Sequence, residues 1–112
     1  MKLEYIIEGL NRHIEQERIN KKIQTKGHLV LQKVININST FKVFRTYNII
    51  VWFVKNNKRY KVLELSHTDK VVDNNEDTAY KNIIIKLSNT LFNFIGSETY
   101  NKIIIGEYNG ES

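Results

Sequence analysis

Apolar residues near the start of the chain recur at helical spacing. Leu3, Ile7, Leu10 and Ile14 follow an i, i+4, i+7, i+11 rhythm, and Ile6 widens the stripe. This pattern predicts an amphipathic helix over residues 3–22. Glu4, Glu8, Asn11, Arg12 and Glu15 lie mostly off the stripe. Early glutamates and the late Arg18, Lys21 and Lys22 complement the helix dipole. Gly9 costs about 1 kcal/mol relative to alanine in a helix interior, so it marks either close packing against a sheet or nothing. The helix is expected to end by Ile23, with Gly27 closing the connection.

The period then changes to two. Residues 28–37 predict a strand with Leu29, Leu31, Lys33, Ile35 and Ile37 facing one way, and Val30, Gln32, Val34 and Asn36 facing the other. Asn38, Ser39 and Thr40 signal a turn. Residues 41–54 predict a second strand, long enough that a bend or bulge is expected near Thr46 to Asn48. Residues 59–66 predict a third. Asn56 and Asn57 both tolerate positive φ, so they fit a two-residue type I′ hairpin. That hairpin pairs Val54 with Arg59, Phe53 with Tyr60, Trp52 with Lys61, Val51 with Val62 and Ile50 with Leu63.

This register sorts the side chains. One face collects Ile49, Val51, Phe53, Tyr60 and Val62, continued by Phe41, Val43 and Tyr47. The other collects Ile50, Trp52, Val54, Leu63 and Leu65, with Arg59 and Lys61 beside Trp52. Both faces are apolar near the hairpin, whereas a sheet with one solvated face should alternate. Either both faces are covered within the domain, or one is covered by a second copy or a partner.

An acidic loop is expected at 67–78, ending in an Asp77 or Thr78 N-cap. A second helix follows at 79–95, with Tyr80, Ile83, Ile84, Leu87, Leu91 and Phe94 in a broad stripe. Ile85, Phe92 and Ile95 spread beyond it, which predicts a buried helix, and Gly96 suits the C′ position. Three consecutive isoleucines favour a short strand within 100–108, although Ser97 is also placed to cap a third helical turn. The tail from Asn109 is expected to fray. The expected fold is a single α+β domain over 1–112: a three- or four-stranded antiparallel sheet flanked by an N-terminal and a C-terminal helix. The order helix, three strands, helix over roughly residues 3–95 is similar to that of double-stranded RNA-binding domains. That family opens its last helix with a lysine cluster. Here Glu76, Asp77 and Thr78 stand there, followed only by Lys81 and Lys86, so no site residue is carried over.

Charge changes the picture. Between Glu17 and Glu64 there are eleven Lys and Arg residues and no acidic one. Residues 1–61 carry +9 and residues 62–112 carry −4, and such asymmetry points to a charged partner. Ile, Asn and Lys account for 43 of the 112 residues, a bias toward A/T-rich codons that suggests a gene of low G+C content, such as that of a phage, plasmid or AT-rich host, and also inflates lysine; a phage or mobile-element origin is expected. The chain has no cysteine, which excludes disulfides and thiolate chemistry. Glu4 and Glu8 interrupt any signal-like apolar segment, and no apolar run reaches bilayer length. A cytoplasmic protein without membrane partners is expected.

No catalytic motif, phosphate-cradling glycine loop or metal-ligand spacing occurs. His67, Asp69, Asp73 and Glu76 match no calcium loop, and His13, His28 and His67 have no zinc spacing. No enzyme activity, cofactor or metal is expected. Two binding readings stand, nucleic acid as the leading one and a protein-interaction module that inhibits or adapts a host factor as the alternative. Lys42, Arg45, Lys55, Lys58, Arg59 and Lys61 are candidates for nucleic-acid binding through a basic hairpin surface, because cations neutralise phosphates while aromatic rings stack on bases. Trp52 and Tyr60 are candidates for docking a host protein through an aromatic sheet face. A homodimer is compatible with either. The competing account of the lysines is a solvated sheet edge protected from aggregation.

Overall fold

Where the hydrophobic period changes, so does the structure. α1 spans Leu3–Asn20, β1 His28–Ser39, β2 Val43–Lys55, β3 Lys58–Lys70, α2 Glu76–Phe94 and α3 Glu98–Ile104. The structure, a computed structural model, describes residues 2–39, 43–70 and 76–110, leaving out the side chains of 37–39, 43, 69–70 and 76–79. It is an α+β fold built on a three-stranded antiparallel sheet in the order β1-β2-β3. Asn38 and Ser39, expected to turn, instead extend β1 and pair with Phe44 and Val43, while Thr40, Phe41, Lys42 and the acidic segment with Asp73 lie outside the described residues.

The stripe of α1 meets the sheet as its spacing requires: Leu3, Ile7, Leu10 and Ile14 are buried. Asn11 ties the helix to the outer side of β1. Its Nδ2 donates to the Leu29 carbonyl at 2.9 Å, and the Leu29 N–H donates to its Oδ1 at 2.7 Å. A Cβ on Gly9 would touch only the Arg12 side chain, at 4.0 Å, so no close packing explains that glycine. Gly27, at φ 115°, returns the chain where the Phe53 ring occupies the space a Cβ would need.

Asn56 (φ 54°) and Asn57 (φ 63°) are both left-handed, as a type I′ hairpin demands. Val54–Arg59, Phe53–Tyr60 and Trp52–Lys61 pair as expected, and then the register changes. Val51 pairs with Leu63 rather than Val62, and Ile50 with Glu64 rather than Leu63. The irregularity expected at Thr46 to Asn48 sits instead opposite Val51 and Trp52, with Val62 as the extra residue. Its cause is hydrophobic. Without the bulge, Leu63 and Leu65 would face away from the helices; with it, both pack against the core. β3 also runs on to Lys70, so His67 to Lys70 are strand rather than loop.

α2 buries Ile83, Leu87, Leu91 and Phe94. It is not buried all round as its composition predicts: Phe92 is 80% exposed, and Ile85 and Ile95 are exposed too. The segment expected as a strand is helix α3. Ser97 caps it, its hydroxyl accepting from the Tyr100 N–H at 3.2 Å, and Tyr100, Ile103 and Ile104 are buried. Tertiary packing outweighs the β-preference of the isoleucines. Arg18, 2% exposed, closes the other end of α3. Its Nε donates to the Ile104 carbonyl at 3.0 Å and its Nη2 to the Ile103 carbonyl at 2.7 Å, while Nη1 reaches the Gly27 carbonyl at 2.8 Å. The tail does not fray at once. Tyr108 is buried with its hydroxyl donating to the Lys61 carbonyl, and Gly110 lies against Tyr60.

Candidate functional site

Alternation divides the sheet into two faces. Leu29, Tyr47, Ile49, Val51 and Phe53 point toward the helices and are buried. The opposite face carries Val30, Gln32 and Val34 from β1, Asn48, Ile50, Trp52 and Val54 from β2, and Arg59, Lys61 and Glu64 from β3. The apolar core includes none of these ten side chains. Val30 and Val34 are 38% and 36% exposed, and Ile50, Trp52 and Val54 are half-buried by their own neighbours.

Trp52 is central because β2 is the middle strand and because its cross-strand neighbours are Val30 and Lys61. Its indole N–H donates to Gln32 Oε1 at 2.9 Å. The Arg59 guanidinium stacks over its ring, 4.4 Å from the centroid. Such a pair contributes about 0.5–1 kcal/mol at an exposed site. Lys61 Nζ meets Glu64 Oε2 at 2.9 Å. The result is an apolar band of Val30, Ile50, Trp52 and Val54 with a charged rim on the β3 side. The Gln32 hydrogen bond and the Arg59 stack both favour this orientation of the indole.

The chain matches no protein-family model, no curated protein and no solved structure.

The candidate cations divide between the two faces. Arg59 and Lys61 flank Trp52. Lys55 and Lys58 are partners in the hairpin's closing pair and belong to the helix side, where Lys55 Nζ donates to the Gly106 carbonyl at 2.6 Å. Arg45 lies toward the other end of that same side, its guanidinium donating to the Tyr47 hydroxyl at 3.4 Å. Lys42 lies outside the described residues. Tyr60 is half-buried on the helix side beside the tail, so it and Trp52 occupy opposite faces. Val30 and Gln32 were not singled out from the sequence. Their alternation was visible, but only the β1–β2 register shows that they share a face with Trp52.

Among the described residues, no group of three or more His, Asp or Glu side chains is placed to hold a metal ion, and no helix is long and apolar enough to cross a membrane. Among the described residues, two hydroxyls have raised pKa values: Tyr108 through burial, and Tyr100 through burial and the Glu17 carboxylate, to which it donates a hydrogen bond at 2.7 Å.

Proposed function

We propose that this protein is a non-enzymatic binding module that docks a protein partner on the sheet face centred on Trp52. One observation carries the proposal. An apolar band with an oriented tryptophan lies on the face of the sheet that the described helices leave open. Interfaces are built this way, with an aromatic anchor inside a polar rim. The matching partner surface is apolar at its centre and carries a carboxylate facing Arg59 and Lys61. The bias toward Ile, Asn and Lys supports a phage or mobile-element origin, in which case the partner is a host protein.

Single-stranded nucleic acid is the second reading, favoured by Arg59, Lys61 and Trp52 lying side by side. Two measurements separate the readings. Affinity for an oligonucleotide that falls steeply with salt and disappears in an Arg59→Glu, Lys61→Glu double variant supports nucleic acid. A purified partner whose affinity falls by about 2 kcal/mol or more in Trp52→Ala, with the fold retained, supports protein docking. A partner bound equally well by Trp52→Ala overturns it.

A further inference from the structure

We propose that the edge of β1, which no other described strand pairs, is the contact between two copies of this chain, which pair antiparallel there to form one continuous six-stranded sheet. The proposal does not depend on what the Trp52 face binds.

It begins with the direction of the backbone groups. The N–H and the carbonyl of Leu29 are both taken by Asn11, so both point away from β2. In an antiparallel ladder this orientation repeats at every second residue. Leu31, Lys33 and Ile35 therefore also present an N–H and a carbonyl outward from the sheet. Val30, Gln32 and Val34 direct theirs at β2.

The two edges of the sheet differ in how they are protected. Along β3, the Lys61 carbonyl accepts from the Tyr108 hydroxyl and the Ser66 carbonyl accepts from Lys86 Nζ at 3.1 Å. That edge also carries the Val62 bulge and the exposed Arg59, Lys61 and Glu64. Bulges, charges and side-chain covers are the devices that prevent edge pairing. Along β1, Asn11 covers Leu29. From Leu31 to Asn36 the pairing with β2 is regular and Lys33 is the only charged residue. Val34 and Ile35 are 36% and 44% exposed there.

A row of outward N–H and carbonyl groups is satisfied by an extended backbone. A second β1 supplies the same row in reverse, which a two-fold axis requires. With the axis at Val34, Lys33 lies opposite Ile35 of the partner subunit and Gln32 opposite Asn36 of the partner subunit. No like charges then face each other, and helix-side residues pair with helix-side residues. At the Leu29 end of the edge, α1 and the strand are separated by an open groove of about 250 Å3, so the pairing begins beyond Asn11, at Leu31.

The test combines light scattering across a concentration series with residue-resolved amide exchange on the full chain. The expected result is a dimer in which the Leu31, Lys33 and Ile35 amides exchange slowly, with that protection lost on dilution. Ile35→Pro removes an outward N–H without touching the β1–β2 ladder, so it is expected to be a folded monomer. A monomer at every concentration the protein tolerates overturns the proposal. So does a dimer whose three amides exchange freely, or one that persists in Ile35→Pro. If that variant fails to fold, the exchange pattern of the unaltered protein decides.

Discussion

A guanidinium offers five N–H donors and no acceptor, so burying one is tolerable only where oxygens converge on it. Arg18 meets that condition through the Gly27, Ile103 and Ile104 carbonyls, with Glu15 at 3.4 Å. It is a clamp rather than surface charge: one cation holds the end of α1, the turn into β1 and the C-terminal end of α3 together. Arg18→Met should cost about 3 kcal/mol in urea denaturation, since it takes the guanidinium donors from the Gly27 and Ile104 carbonyls and leaves Ile103 only the Gly106 N–H. Arg18→Lys should recover only part of that, because an ammonium cannot present the planar fork. A loss under 1 kcal/mol, on the order of one ordinary hydrogen bond, would contradict the clamp. From the sequence, Arg18 was legible only as a helix-dipole residue of its own helix. Its acceptors Ile103 and Ile104 lie at the other end of the chain, and local spacing carries no trace of them.

Among the elements, β3 shows most plainly what periodicity leaves out. Val62 is the extra residue between Lys61, opposite Trp52, and Leu63, opposite Val51. Deleting Val62 makes Lys61 and Leu63 consecutive, and consecutive residues in a regular strand already point to opposite faces. That deletion should therefore keep the fold within roughly 1–2 kcal/mol, the loss being the partial packing of the Val62 side chain. Deleting Glu64 instead should turn Leu65 or Leu63 outward and cost several times more. Thermal melts of the two deletions, read against each other, check this. The first strand pairs of the hairpin were legible because two asparagines define a short loop. The bulge was not, because what drives it is where Leu63 and Leu65 end up, a tertiary demand. α3 is the converse case. Ser97 was a visible cap, but the β-preference of three isoleucines outranked it until packing was known.

At the scale of the molecule, the N-terminal helix, the sheet order and the second helix followed from hydrophobic period, while the distribution of charge did not. No acidic residue interrupts the cations of the central stretch, yet strand alternation sends Lys55, Lys58 and Arg45 to one side and Arg59 and Lys61 to the other. The molecule also contains an alkaline limit. Tyr100 and Tyr108 hold their protons more tightly when folded than when unfolded. Below about pH 10 both states are protonated and the stabilisation is complete. Above it the unfolded chain loses those protons first, so unfolding free energy should fall as pH rises. Chemical denaturation across this range should show that decline, and it should be shallower in Tyr100→Phe and Tyr108→Phe. An equal slope in both variants would assign the effect elsewhere.

Trp52 is the chain's only tryptophan, so its fluorescence reports the proposed docking face without a label. The direct measurement is acrylamide quenching of that emission, first in the isolated protein and then with the partner bound. The predicted result is an indole that the quencher reaches in the isolated protein and no longer reaches in the complex. An indole already shielded in the isolated protein, or one equally accessible in both, would contradict the account.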